Sequence, residues 1–109
     1  MSDTESKIRK YLAEEFGMND TEIDEMLEIF LESLERLTVE IKESISSWNA
    51  GQLKTAGHSL KGVAANIGAE HIAALGKSIE DTGVEGTPEQ AASLLAELNK
   101  ALDNLKQQS

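Results

Sequence analysis

The chain has no cysteine, a single proline and only four aromatic residues in 109, namely one tryptophan, one tyrosine and two phenylalanines. Without cysteine there can be no disulfide, no thiolate nucleophile and no cysteine-based zinc site. That composition suits a reducing compartment, and the cytoplasm is the expected location. The shortage of aromatics makes the expected core aliphatic. No apolar run reaches the ~18 residues that a membrane-crossing helix requires, and Met1-Ser2-Asp3-Thr4-Glu5 has neither the basic nor the apolar region of a signal peptide. A soluble chain, not exported by that route, is expected. Positive charge is also scarce: 10 lysines and arginines against 20 aspartates and glutamates leave a formal net charge of −10. Such a chain repels nucleic-acid phosphates and anionic lipid. The one small basic patch, Lys54 with Lys61, does not reverse that, so neither nucleic acid nor membrane is an expected partner. A glycine-rich nucleotide loop is missing too, which argues against a kinase.

What is present is helical periodicity. Hydrophobic residues make up 39% of the chain, within the globular range, and the length allows one core. A single domain over residues 1–109 is expected, with 1–3 and 106–109 frayed. A short amphipathic helix from about Thr4 to Phe16 places Ile8, Leu12 and Phe16 on one face beside Tyr11, and Gly17 stops it. Thr21 and Asp24 have a capping-box spacing at the start of the longest helix, which runs to about Trp48 and carries Ile23, Leu27, Phe30, Leu34, Leu37, Ile41 and Ile45. Trp48 reads as a cap on the core. A third helix spans Gln52 to Ile67, with Gly68 placed to close it in the left-handed conformation. Ile72, Leu75, Gly76 and Ile79 mark a fourth, to about Thr82, followed by a Gly83-Val84-Glu85-Gly86 loop. Thr87-Pro88-Glu89-Gln90 opens the last helix, with Ala91, Leu94, Leu95, Leu98, Leu102 and Leu105 as its stripe. The expected fold is all-α: an antiparallel up-down four-helix bundle with a short additional N-terminal helix.

His58 lies in the third helix, whose stripe of Leu53, Ala56, Leu60, Ala64 and Ile67 centres near Leu60. At about 100° per residue the histidine falls roughly 160° from that centre, so its ring points to solvent. Lys54, Lys61, Gly62 and Ala65 share its outer face. Gly57 and Gly62 each cost a helix interior about 1 kcal/mol relative to alanine, and their retention suggests a bare surface open to a partner. An exposed neutral imidazole is a nucleophile near pH 7, and flanking ammonium groups attract a phosphoryl group. The alternative is an ordinary solvated histidine among solvated lysines. Counting back from the tight turn at Gly68 puts Glu80 level with His58.

The run His58-Ser59-Leu60-Lys61-Gly62, followed by Ala64-Ala65-Asn66-Ile67-Gly68-Ala69, resembles the signature of histidine phosphotransfer (HPt) domains of bacterial phosphorelays. The similarity extends to Leu75 and the Ile79-Glu80 pair, where the family usually has Leu and Leu-Glu. Gly57 departs from it, since alanine is more usual before the histidine. The resemblance implies that His58 accepts a phosphoryl group from a receiver-domain phospho-aspartate and relays it to another. Nε2 would be the nucleophile, Lys61 would steady the phosphoryl oxygens and Gly62 would allow close approach. Lys54, Thr55, Ser59, Ala65 and Lys77 are docking candidates. Glu80 either orients the ring through its other nitrogen or is a solvated helix residue. The implied partners are response-regulator receiver domains and a sensor histidine kinase of the simple or hybrid type. No cofactor is implied for this chain, because the magnesium ion would sit in the receiver.

Other readings compete with this one. A non-catalytic helical adaptor would keep the fold and bind a partner through the His58 and Gly62 face without chemistry. The Ile23 to Ile45 stripe suits a coiled-coil dimer, but three further full-length amphipathic helices need partners, and an intramolecular bundle, hence a monomer, satisfies all of them. His71 with His58 is poor metal-ligand spacing. The acidic clusters Asp20 to Glu28 and Glu80-Asp81 read as solvated faces and not as a hydrolase's carboxylate pair.

Overall fold

Short polar side chains decide where the helices opening at Asp20, Ala50 and Pro88 begin. The computed structural model describes residues 3–106, in which the helices are α1 (Asp3–Phe16), α2 (Asp20–Ser47), α3 (Ala50–Asn66), α4 (Glu70–Glu85) and α5 (Pro88–Lys106). The Asn19 side chain accepts from the Glu22 backbone N–H at 2.9 Å, and Glu22 accepts from the Asn19 N–H at 3.0 Å. This reciprocal box replaces the expected Thr21 and Asp24 pairing, because extended Asn19 already caps the chain and Thr21 lies inside the helix. Asn49 caps α3 by accepting from Gln52 N–H at 3.0 Å. At α5 the Thr87 and Gln90 pair forms as the sequence predicts, with bonds of 3.0 and 3.2 Å. Of the residues expected to fray, Asp3 and Lys106 are helical, and Lys106 is bonded to Glu35 at 3.0 Å. The remainder, 1–2 and 107–109, lie outside the described residues.

The core is aliphatic apart from Phe30 and is supplied by all five helices. α2 packs against α3 and α5, α4 packs against the same two, and α1 rests on α2. Along α2 the expected stripe is buried from Ile23 to Ile41, but Ser44 follows it into the core while Ile45 is only half-buried. The Ser44 hydroxyl donates to the Glu40 carbonyl at 2.7 Å, which satisfies it within its own helix. On α5 Ala101 is buried with Leu98, whereas Leu94 and Leu95 are half-buried. On α1, Ile8 and Leu12 are buried, but Phe16 is 59% exposed and meets Tyr11 edge-on at 5.8 Å. The helix ends at Gly17, too soon after Phe16 for that ring to reach the core. Arg9 holds α1 to α2 by donating to Asp24 at 2.6 Å. Gly68, with φ +74°, closes α3 as expected, and the Tyr11 ring lies directly against it. Trp48 takes the left-handed conformation at the end of α2, φ 46°, and is half-buried against the core.

The contact between α3 and α4 is made by backbone. Gly76 stands so close to α3 that a Cβ there would lie 2.5 Å from the Lys61 nitrogen, and one on Gly83 would lie 2.6 Å from the Lys54 nitrogen. A Cβ on Gly57 would run into the Glu80 backbone. Rising positions on α4 meet falling positions on α3, so the two helices run in opposite directions. Two expectations are corrected by this contact. Gly57 is buried against α4 and is no part of the bare outer face. Gly83 does not open a loop: α4 continues through it to Glu85, because the absent side chain serves close approach and not chain reversal. Gly62 alone fits the open-face reading, with nothing within 4 Å of an added Cβ. Gly76→Ala or Gly57→Ala is therefore expected to lower stability by about 1–3 kcal/mol through forced separation of the backbones. Gly62→Ala should leave stability equal or up to about 1 kcal/mol higher. Denaturant melts of the three variants check the contrast, and equal losses at Gly62 and Gly76 would contradict it.

Candidate functional site

The glycine contact places two backbones side by side, and the candidate site is what projects from them. His58 follows buried Gly57 on α3 and turns outward, with its side chain 67% exposed. Glu80 projects from α4 at the same level, beside the Gly57 contact, and its side chain is 14% exposed. Its two oxygens take different partners: Oε2 lies 2.9 Å from His58 Nδ1, and Oε1 accepts from Lys61 Nζ at 3.1 Å. The hydrogen bond from Lys61, with that from His58 adding to it, holds the Glu80 carboxyl below its usual range against the opposing effect of desolvation. An ionised carboxylate can only accept, which assigns the proton of the neutral imidazole to Nδ1. Nε2 is then left with its lone pair and faces solvent. The pair Nδ1–H with free Nε2 is the arrangement in which a histidine acts as nucleophile.

The surrounding residues fall into distinct places. Lys54 and Thr55 line the same shallow depression as His58 and Glu80. Thr55 donates its hydroxyl to the Gly51 carbonyl at 3.1 Å. Ser59 and Gly62 are exposed beside the histidine, and Ala65 is exposed further along α3, at the edge of a groove shared with Lys7, Lys10 and Tyr11 of α1. Lys61, expected on the outer face beside the histidine, is only half-exposed and is paired with Glu80. Lys77 does not join the group: its ammonium is bound to Asp81 at 3.0 Å, which raises its pKa. His71 lies at the start of α4 near Asp3, Thr4 and Lys7, in a separate small pocket. Among the described residues no cluster of three or more His, Cys, Asp or Glu side chains could hold a metal ion.

Sequence reasoning left the role of Glu80 open and missed that it also holds Lys61. Gly76 and Gly83, seven residues apart on one face of α4, were the available signal that the two helices touch closely enough for a short carboxylate to reach both partners. Two results are expected. Long-range proton–nitrogen NMR should find the neutral His58 proton on Nδ1, and Glu80→Ala should shift it towards the other nitrogen; an unchanged tautomer would show that Glu80 does not set it. Because the folded-state pKa of Glu80 is depressed, its bonds contribute stability above the unfolded carboxyl value of about 4.3 and lose it as pH falls through the lower folded value. The melting-temperature gap between wild type and Glu80→Gln should accordingly be widest near neutral pH and close in acid.

A model of the Hpt domain matches residues 25–108. The match takes in α3, α4 and α5 whole and most of α2, while α1 lies before it. Comparisons with curated proteins and with solved structures returned no match. The matched span holds the exposed histidine, its lysine and the bare glycine on one helical face, as well as the carboxylate that touches the first two. By that match over most of its length, the chain belongs to the Hpt domain family, the histidine phosphotransfer modules of phosphorelays.

Proposed function

We propose that His58 accepts a phosphoryl group from the phospho-aspartate of one receiver domain and passes it to the aspartate of another. The observation that carries this reading is the exposed ring whose Nδ1 is held by Glu80 at 2.9 Å, leaving Nε2 as an outward lone pair. Four neighbouring helix pairs in a ring, joined by short turns, support an antiparallel up-down arrangement of α2 to α5 with α1 added to it. In that frame one residue face of α3 is presented to a partner. Gly62, four residues after the histidine, leaves room for a receiver to bring its acyl phosphate to the in-line distance of roughly 3–3.5 Å. Lys54, Thr55, Ser59 and Ala65 border the landing area.

Lys61 has a double use. It is bound to Glu80 while the ring is empty, and an arriving phosphoryl group, with more charge than a carboxylate, competes for it. Its ammonium then stabilises the charge on the transferring oxygens. The chain itself supplies position and charge only, as a phosphocarrier without a nucleotide site and without a cofactor of its own. The magnesium ion that acyl-phosphate chemistry uses belongs to the receiver's acidic site. Receiver domains and a sensor histidine kinase are the proposed partners, met by a monomer in the cytoplasm.

The test is incubation with phosphorylated receivers. An acid-labile, alkali-stable phosphate should appear on the chain, vanish with His58→Gln and persist with His71→Gln, while the His58→Gln melting temperature stays near wild type because an outward side chain carries little packing. Label that survives His58→Gln would make the acceptor another residue. A chain that binds receivers and never takes the label is a helical adaptor instead. Gly62→Gln should keep its fold and lose transfer rate by obstructing approach; normal transfer in that variant would move the docking face elsewhere.

A further inference from the structure

Three glycines bring α3 and α4 together, and each stands against a residue whose charged side chain lies near the His58 ring. Gly57 meets the Glu80 backbone, and Gly76 meets that of Lys61. The third, Gly83, stands against Lys54: a Cβ there would lie 2.6 Å from the Lys54 nitrogen and 2.8 Å from its Cα. Glu80 and Lys61 bind each other at 3.1 Å, and the second Glu80 oxygen lies 2.9 Å from His58 Nδ1. Lys54 is left over. It is exposed, it lines the same depression as His58 and Glu80, and among the described residues none forms a hydrogen bond or ion pair with its ammonium. We propose that Lys54 is the residue that holds the phosphoryl group once it is on His58, so that this lysine sets how firmly the chain stores it. The proposal rests on His58 being the phosphoryl acceptor.

Lys54 precedes His58 by one helical turn, and residues so spaced have Cβ atoms about 5–6 Å apart. The flexible four-carbon stem of a lysine spans that interval and brings the ammonium to the edge of the ring. The other groups of the depression are committed elsewhere. The Thr55 hydroxyl already donates to the Gly51 carbonyl at 3.1 Å. The Glu80 carboxylate repels an anion. Lys61 can turn to the phosphoryl oxygens only by leaving Glu80, whose side chain is 14% exposed, and a carboxylate so enclosed is destabilised when its cation departs. Lys54 gives up only water. Both lysines can act while phosphorus passes between two groups, but storage afterwards falls to the unpaired one.

In loading, the Nε2 lone pair forms the N–P bond while the P–O bond to the donor aspartate breaks and its electron pair leaves as a carboxylate. The ring becomes an imidazolium with its Nδ1 proton unmoved, and the phosphoryl oxygens carry the negative charge that Lys54 meets. In unloading, an oxygen of the accepting carboxylate forms the O–P bond, and the N–P pair returns to Nε2. A residue that only guides docking or speeds transfer alters both directions by one factor, which leaves the position of equilibrium where it was. A residue that binds the loaded form and not the empty one moves that position. Equilibrium therefore separates storage by Lys54 from any part it has in docking.

The experiment uses the full chain in a His71→Gln background, where His58 is the one histidine left of the two in the sequence. Phosphoramidate, a small donor that needs no receiver, loads the ring in a fixed excess of ammonium chloride. The N–P bond to ammonia breaks as the bond to Nε2 forms, ammonia leaves with the electron pair, and phosphorus NMR reads the ratio of loaded to empty chain at equilibrium. Circular dichroism confirms that each variant is folded. With Lys54→Gln that ratio should be roughly three-fold lower, the size expected for one exposed charge pair. Lys54→Arg should restore it. Lys100→Gln, which removes an equal charge from an exposed position on α5, should leave it unchanged. A ratio that Lys54→Gln does not lower overturns the proposal, and so does a loss that arginine fails to restore or that Lys100→Gln reproduces. A chain that phosphoramidate cannot load at His58 overturns it together with the acceptor assignment. A loaded chain that passes its phosphate to no receiver removes the relay function alone, and the loading ratio still decides on Lys54.

Discussion

The meeting of α3 and α4 through bare backbone is the constraint on which the site depends. Three glycines, Gly57, Gly76 and Gly83, remove the side chains that would otherwise hold the helix axes apart. Ordinary helix pairs are spaced about 8–10 Å by their side chains, and across such a gap a glutamate must choose its partner by flexing. Here the helices are close enough for Glu80 to stand between two residues of the opposite helix with little freedom left to it. Rigid backbone contact thus becomes a well-defined position for one carboxylate, and that position determines which nitrogen of His58 holds the proton. The entropy that three glycines lose on entering helices is the cost of this arrangement.

Electrostatics makes the local arrangement unusual for the chain that carries it. The protein has a net charge of −10, and an acyl phosphate on another acidic domain gains nothing from approaching such a body at long range. Attraction has to come from the immediate surroundings of the histidine. In the proposed transfer Lys54 and Lys61 provide it, and pairing with Glu80 keeps Lys61 in place without neutralising the whole face. Beyond a Debye length of about 8 Å at physiological salt the acidic remainder is largely screened, so two cations in the right place can outweigh many carboxylates elsewhere.

The helices were legible in the sequence because long amphipathic stripes leave little choice of period, and α5 was legible even to its cap, since Thr87, Pro88 and Gln90 each signal the same thing. The outward direction of His58 followed from angle alone. The errors cluster where one residue type has two physical uses. Glycine breaks helices in most contexts, which made Gly83 look like a loop and Gly57 like open surface, although both are demanded by a neighbouring backbone that a linear chain does not display. Asparagine at position 19 and threonine at position 21 compete for one cap, and the outcome turned on the reach of Glu22. Phe16 matched a stripe by spacing but is the last residue of its helix, where there is no longer a wall to pack on. The pairing of Lys61 was invisible for the same reason as the glycine contact: it depends on an interhelical distance, and periodicity describes single helices.

Trp48 offers a different kind of information. It is the single tryptophan of the chain, it sits half-buried at the junction of α2 and α3, and the only left-handed non-glycine backbone among the described residues is its own. Its emission is therefore a local gauge of one corner of the molecule, the one from which the His58 helix starts, and not an average over several fluorophores. Circular dichroism, by contrast, sums over all five helices. If the corner at Asn49 loosens before the bundle melts, the two signals will separate during unfolding, and if the molecule gives way as a unit they will coincide. The scarcity of aromatic residues that leaves the core aliphatic thus also gives the protein a single built-in optical label beside its site-bearing helix.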